Sequence, residues 1–105
     1  MPYFIRIGRI DSNKSGVGSR GWYIRRAETR VLVRWGAVDV ERGGNSTSFY
    51  WGAGWPRELR YRPYRTVEQA KAFVMASIRT KLGNSEQDGR YERLPPGKRI
   101  RLRPR

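Results

Sequence analysis

The run RVLVRWGAVDV, from Arg30 to Val40, is among the most strand-like in the chain. Its branched aliphatic residues are typical of β-strands, where they pack well on a pleated surface. Trp35 and Gly36 nevertheless lie in the middle of the run. Because glycine weakens the interior of a strand, Gly36 indicates either a β-bulge or a second group that approaches the backbone closely.

The neighbouring sequence predicts further strands. WYIRRA (22–27) is rich in β-forming residues, and only Glu28 and Thr29 separate it from Arg30, which predicts a tight hairpin. YFIRIGRI (3–10) alternates between apolar and other residues, as a half-buried strand does. We therefore expect these runs to form strands of an antiparallel sheet.

Two loops and a further strand are expected in the regions between these runs and the helix. DSNKSGVGSRG (11–21) and ERGGNSTS (41–48) are small, polar and glycine-containing, which is typical of flexible loops. RELRYRPYR (57–65) predicts an edge strand, because Pro63 has no N–H to donate within a central strand. A short strand is also expected around residues 91–94.

One α-helix is expected over about residues 66–82. Thr66 is a good N-cap, and Gln69 stands three residues later, as a capping box requires. Lys81 complements the helix dipole in the last turn, and Gly83 suits the position that ends the helix. One face carries apolar residues and a serine at helical spacing: Ala70, Phe73, Val74, Ser77 and Ile78. Strands followed by one late helix predict an α+β fold, an antiparallel sheet of about four or five strands packed by this helix.

The charge of the chain is its most informative property. Lys and Arg number 23 against nine Asp and Glu, which gives a net charge of +14 and a pI near 11.3. Nineteen of the basic residues are arginine, whose planar guanidinium group suits bidentate contacts with phosphate. A field of this sign attracts polyanions, so the composition favours a nucleic-acid partner over a basic surface kept for solubility.

Two residue types, histidine and cysteine, are absent from the sequence. Their absence removes disulfides, thiolate nucleophiles, the commonest zinc ligands and the side chain most often used for proton transfer near neutral pH. The nine carboxylates form no recognisable catalytic or metal-binding pair. We therefore expect a protein that is not an enzyme and that holds neither a metal nor another cofactor.

The chain has the length of one small domain, and it contains no apolar run near the roughly 18 residues that a membrane-spanning helix needs. Its start does not resemble a signal peptide. These features predict a cytoplasmic protein with one domain over residues 1–95 and a basic tail over 96–105. The tail is expected to be a disordered arm that adds phosphate contacts; the alternative is an added strand with Arg99, Arg101 and Arg103 on one side.

Trp35-Gly36, at the end of a β-rich run, resembles the Trp-Gly-Arg motif that names the WGR domain family. Other features of that family occur here in the same order: a first strand like YFIRIGRI, a helix containing AKAFV (70–74), then KLGN (81–84) and GRYERL (89–94). The likeness covers roughly residues 3 to 94. It implies a curved antiparallel sheet with one packed helix.

The resemblance also implies a module that binds nucleic acid. In poly(ADP-ribose) polymerases this domain contacts DNA at breaks and passes the signal to a catalytic domain, whereas bacterial proteins often carry it alone. No catalytic domain accompanies it within these 105 residues, so only the binding activity is expected. The third motif residue is Ala37 instead of arginine, which puts the recognition of DNA ends in doubt.

The residues expected to contact nucleic acid are arginines of the strands together with the Trp-Gly pair: Arg26, Arg30, Arg34, Trp35, Gly36, Arg57, Arg60 and Arg62. Their guanidinium groups are expected to gather on a single side of the sheet, with exposed aromatic rings nearby for stacking. Arg26 and Arg30 are expected to lie near one another across the hairpin. Trp35 either packs in the core or contacts a ribose or base.

DNA is expected to be the partner more than RNA. Two alternatives remain at this point: an RNA-binding accessory protein, and a protein-interaction module whose basic face docks an acidic partner. The sequence leaves the oligomeric state open.

Overall fold

A computed structural model of the chain describes residues 3–7, 19–83, 91–95 and 97–103. Within these residues it contains one helix and seven strands: β1 (Tyr3–Ile7), β2 (Ser19–Ala27), β3 (Arg30–Gly43), β4 (Ser46–Trp51), β5 (Arg57–Arg60), α1 (Val67–Gly83), β6 (Tyr91–Arg93) and β7 (Ile100–Leu102). The strands form one sheet in the order β6-β1-β2-β3-β4-β7, and β5 also pairs with β3. Every described pair is antiparallel except β4 with β7.

The α+β prediction is confirmed. Five strands, β1 to β5, form a mostly antiparallel sheet with α1 packed against it, and the three-residue strands β6 and β7 extend this sheet at its two ends. Part of the predicted loop at 11–21 lies outside the described residues, and its last three residues begin β2. The KLGN and GRYERL segments likewise extend into residues 84–90, which are not described. Among the described residues, no helix is long and apolar enough to span a membrane.

The hairpin predicted between β2 and β3 is confirmed. Ala27 pairs with Arg30, and Glu28 adopts a left-handed backbone conformation with φ of 58° in the intervening turn. β2 and β3 are the central pair of the sheet, and the Trp-Gly pair lies on β3.

The prediction of a flexible loop at residues 41–48 was wrong. β3 continues to Gly43, and a two-residue turn of Gly44 and Asn45 leads directly into β4. Gly44 has a φ of 57°, which glycine adopts without steric cost and which tight hairpin turns require. Glu41 pairs with Ser48 in the ladder, so the polar residues taken as a loop lie on paired strands with solvent-accessible side chains.

The helix prediction is confirmed to within one residue at each end. Thr66 caps α1, because its Oγ1 accepts a hydrogen bond of 3.1 Å from the backbone N–H of Gln69. The Gln69 side chain accepts a hydrogen bond of 3.2 Å from the N–H of Arg65, one residue before the position that a regular capping box uses.

Apolar side chains cover both faces of the sheet. On one, which we call the helix face, a cluster packs against α1 and its flanks: Trp22, Ile24, Val31, Val33, Ala70, Tyr61, Tyr64, Phe73, Val74, Ile78 and Leu82. On the other, which we call the far face, a second cluster includes two residues from the end of the chain: Tyr23, Leu32, Val38, Phe49, Trp51, Leu94 and Ile100.

The sheet is curved, as expected. Only residues 94–99 join β6 to β7, although β1, β2, β3 and β4 lie between them. Strands about 4.8 Å apart would separate these edges by about 24 Å in a flat sheet, which six residues bridge only when fully extended. The link instead contains a turn, in which the N–H of Lys98 donates to the carbonyl of Pro95 at 3.0 Å. The two ends of the sheet must therefore curl toward one another.

The end of the chain belongs to the sheet, so the preference for a disordered arm was wrong at Ile100–Leu102. These residues pair with β4, and the side chain of Ile100 is only 4% exposed within the far-face cluster. Burial of this apolar side chain gives the segment a free-energy gain that a purely basic arm lacks.

Candidate nucleic-acid interface

The pairing register assigns the arginines of the strands to defined faces. Residues directly opposite one another in an antiparallel ladder project from the same face. Leu32 has Arg25 opposite it on β2 and Arg60 opposite it on β5, so both arginines share the far face with it. Arg30 and Arg34 precede and follow Leu32 by two residues on β3, and they therefore project from the same face.

Two clefts open among these side chains. The first has a volume of about 360 Å³ and is lined by Arg25, Arg30 and Arg60, together with Leu32 and Pro63. It lies at the hairpin end of the far face. Three guanidinium groups around one cleft suit a phosphate, which accepts several charge-assisted hydrogen bonds at once.

The second cleft has a volume of about 370 Å³ and brings in the end of the chain. Arg99 and Arg101 line it with Arg34, around the rings of Tyr23 and Trp51. The Arg34 guanidinium lies over the Tyr23 ring, 5.6 Å from its centroid. Both rings are less than 10% exposed, so the cleft offers charge to a ligand and little ring surface for stacking.

We call the six arginines of the two clefts the arginine surface: Arg25, Arg30, Arg34, Arg60, Arg99 and Arg101. Within the described part of the chain, no ion pair involves Arg25, Arg30, Arg99 or Arg101. Their charges are therefore not neutralised by the carboxylates that the structure describes, and they are available to an external anion.

Glu58 lies between the two clefts and contacts both. One of its carboxylate oxygens accepts a hydrogen bond of 2.8 Å from Nε of Arg34, and the other accepts one of 3.0 Å from Nε of Arg60. The hydrogen bonds from Arg34 and then Arg60 lower the pKa of Glu58 below its ordinary value. Glu58 therefore stays ionised at neutral pH and competes with an external anion for these two arginines.

Glu58→Gln is expected to raise the affinity for a DNA duplex, by at most the roughly eightfold that one additional phosphate contact contributes at about 0.1 M salt. It should also lower the midpoint of thermal unfolding slightly at pH 7. Because the folded-state pKa of Glu58 is lowered, the charged pair stabilises the domain above the ordinary carboxylate pKa, and this stabilisation is lost as pH falls through the lowered pKa. Calorimetry from about pH 7 to about pH 2 should show the two midpoints converging in acid.

Glu68→Gln provides the control, because Glu68 is exposed in the first turn of α1 and carries the same charge. Glu68→Gln should change the affinity for the duplex and the pH dependence of the unfolding midpoint less than Glu58→Gln does. If the unfolding midpoints of the wild type and of Glu58→Gln differ by the same amount down to acid pH, the carboxylate charge does not have this role.

A different kind of site, which we call the tryptophan cleft, lies beside Trp22 and Trp35 of the helix face and also includes Trp55, which packs against the far-face cluster. It has a volume of about 300 Å³, and three indole rings and three cations contribute to its lining: Trp22, Trp35, Trp55, Arg20, Arg57 and Lys81. The Arg57 guanidinium lies 5.1 Å from the centroid of the Trp55 ring, and Nζ of Lys81 lies 5.8 Å from that of Trp22. Trp35 is 37% exposed. This cleft therefore combines accessible ring surface with positive charge.

Close approach of Trp55, and not a β-bulge, explains Gly36. The ladder between β2 and β3 runs without an extra residue through Trp22–Trp35 and Gly21–Gly36. A Cβ on Gly36 would overlap Cε3 of Trp55 and would lie 2.6 Å from its Cδ2. Gly36 also has a φ of +155°, which residues with a side chain rarely adopt. The glycine thus makes room for an indole ring beside β3.

Ala37, which stands where the WGR motif has arginine, also lines the tryptophan cleft. Arg20 is directly opposite Ala37 in the ladder and lines the same cleft. A guanidinium group is therefore present beside this position, although it comes from β2 and not from the motif itself.

The candidate residues predicted from the sequence divide between the two faces. Arg30, Arg34 and Arg60 belong to the arginine surface, whereas Trp35, Gly36 and Arg57 border the tryptophan cleft. The expectation of a single arginine side was therefore wrong. Neighbouring residues of a strand project from opposite faces, so Arg57 and Arg60, three positions apart on β5, lie on different faces.

Arg26 and Arg62 lie outside both sites. Arg26 is opposite Val31 on the helix face, whereas Arg30 projects from the far face, so the two are not neighbours across the hairpin. The Arg26 guanidinium instead donates a hydrogen bond of 2.8 Å to the carbonyl of Glu28. Arg62 is exposed beyond the end of β5 and lines none of these three clefts.

The sequence-based site omitted Arg25, Arg99 and Arg101. Arg25 follows from the hairpin register, because a turn at Glu28 places it opposite Leu32. The other two lie in the tail, where alternation offered an added strand as the alternative to an arm but did not indicate which strand of the sheet it joins.

No family model matches the chain, and searches of curated proteins and of solved structures also give no match. The relation to WGR domains therefore stays a prediction from the residues quoted above.

Proposed function

We propose that this chain is a WGR-like, non-enzymatic module that binds nucleic acid, DNA in preference to RNA. The arginine surface holds the phosphate backbone, and the tryptophan cleft offers a ring to a base or sugar that is not paired. The preference for DNA rests on the resemblance to WGR domains. Neither metal nor cofactor takes part.

The observation that carries this proposal is the geometry of the arginine surface. Six arginines line two clefts, and within the described residues Glu58 is the carboxylate that forms ion pairs with two of them, Arg34 and Arg60. Carboxylates occupy other positions as well: Asp39 and Glu41 pair with Arg103, away from both clefts. A basic surface kept for solubility would not need to concentrate unpaired guanidinium groups in this way.

Titration of the protein with labelled duplex DNA, single-stranded DNA and RNA of equal length tests the proposal. If all six arginines contact phosphates of a duplex, log K should fall against log salt with a slope of roughly −5 between about 0.05 and 0.2 M. Duplex DNA should bind most tightly, because the rings of the arginine surface are buried and cannot stack on bases.

The other outcomes discriminate among the alternatives. Tighter binding of RNA would favour an RNA-binding accessory protein. A folded protein that binds none of the three at low salt would refute the proposal and favour an acidic protein partner.

A further inference from the structure

The end of the chain is anchored on the far face by Ile100, which is buried, whereas the other described residues of 97–103 are exposed. Ile100 packs where Gly21 has no side chain: a Cβ on Gly21 would lie 2.5 Å from Cδ1 of Ile100. Ile100 also pairs with Phe49 of β4. A hydrogen bond of 3.3 Å from Nζ of Lys98 to the carbonyl oxygen of Thr47 links the turn before β7 to β4.

This anchor determines where the neighbouring charges lie. Arg99 and Arg101 flank Ile100 in the sequence, and both line the cleft that contains Arg34. Both are exposed, and the described carboxylates pair with neither. The buried isoleucine therefore fixes the segment that carries these two cations at the border of the cleft that Arg34 also lines.

Arg103, only two residues beyond Arg101, is held quite differently. Its guanidinium pairs with Asp39 at 3.2 Å and with Glu41 at 2.9 Å, and it lies 5.3 Å from the centroid of the Tyr50 ring. The pairing with Glu41, and then with Asp39, raises the pKa of Arg103. The charges of this short segment are thus divided between an open cleft and an internal ion-pair cluster.

We infer that Ile100 acts as a positioning residue, which holds the segment of Arg99 and Arg101 at the cleft that Arg34 also lines, so that the end of the chain forms one wall of a phosphate-binding cleft. The ligand is a backbone phosphate of the nucleic acid, and the inference rests on the proposed function. Such a cleft wall differs from a disordered basic arm, in which each arginine adds the same non-specific attraction whatever its position.

Single substitutions at three arginines separate the cleft from an arm. Arg99→Ala, Arg101→Ala and Arg103→Ala each remove one positive charge from the same segment. Binding to a short fluorescein-labelled DNA duplex is followed by anisotropy across a salt series. Arg99→Ala and Arg101→Ala should each lower the affinity roughly eightfold at about 0.1 M salt. Each should also reduce the magnitude of the slope of log K against log salt by about 0.9, whereas Arg103→Ala should keep the wild-type slope. Equal losses in all three would overturn the inference.

Removing the anchor tests positioning without changing the charge. Ile100→Ala keeps all arginines, and it should lose as much affinity as the combined substitution of Arg99 and Arg101. Met75→Ala is the matched control, because Met75 is apolar, is 57% exposed and lies on α1, outside both clefts of the arginine surface. It should bind as the wild type does. Thermal unfolding establishes that each variant is folded under the conditions of the assay.

The results distinguish this inference from the proposed function. A wild-type protein that binds no nucleic acid at low salt refutes both. Wild-type binding that Ile100→Ala leaves unchanged in a folded protein refutes the positioning role alone. If Ile100→Ala does not fold, the comparison of Arg99 and Arg101 with Arg103 settles the inference by itself.

Discussion

Gly36→Ala should destabilise the domain by about 3 kcal/mol or more, since it combines overpacking with an unfavourable backbone conformation. The new Cβ would lie 2.6 Å from Cδ2 of Trp55, and the ring cannot move away without disturbing the far-face cluster against which it packs. Stability of a domain of this size is typically only about 5–15 kcal/mol. The loss should lower the unfolding midpoint by roughly 12 °C or more, measured by circular dichroism.

Gly43→Ala is the control for this prediction, because Gly43 lies on the same strand with no atom within 4 Å of the added Cβ. Its effect on stability should be within about 1 kcal/mol, and any stabilisation comes from the unfolded chain, whose entropy alanine reduces. In the background of Trp55→Ala, Gly36→Ala should cost less than in the wild type, because the overlap with the ring is gone. Equal stability losses in the two backgrounds would show that Trp55 is not the reason for the glycine.

Simultaneous replacement of Arg25, Arg30 and Arg60 by alanine is expected to weaken binding to a DNA duplex by a factor on the order of several hundred at about 0.1 M salt. These residues line the first cleft, and each lost phosphate contact removes the counterion release that accompanies it. The magnitude of the salt slope should fall by about 2.7. Anisotropy titrations at several salt concentrations measure both quantities.

The control removes the same amount of charge from the helix side. Arg65, Lys71 and Arg79 are exposed on α1 or just before it, and replacing them by alanine also takes the net charge from +14 to +11 (14 − 3). This variant should lose far less affinity and keep most of the salt slope. Equal weakening of the two triple variants would mean that net charge, and not the arginine surface, governs binding.

The elements that the sequence predicts correctly are those whose signals lie within a few residues. The hairpin follows from Glu28 and Thr29 between two β-rich runs, and the helix follows from Thr66 and the apolar spacing after it. The turn at Gly44 also has a local signal, a two-residue glycine turn. It was missed because the polar residues around it were taken as a loop, although the exposed positions of a paired strand tolerate such residues.

The sites were harder to predict than the elements. Alternation along β3 places Arg30 and Arg34 on one face, and this much is readable from the sequence. The separation of Arg57 from Arg60 follows from the same rule, but the face that each one takes requires knowing that β5 pairs with β3. The expectation of one arginine side failed because it grouped residues by proximity in sequence.

The sequence by itself determined the net charge, the central hairpin and the capped helix, because composition and short-range spacing specify them. Only the tertiary structure decided why residue 36 is glycine and which guanidinium groups share a cleft. Trp55 reaches Gly36, and Ile100 reaches Gly21, across long stretches of chain. Such contacts depend on how distant segments pair and curl around one sheet, and no local pattern of residues encodes that geometry.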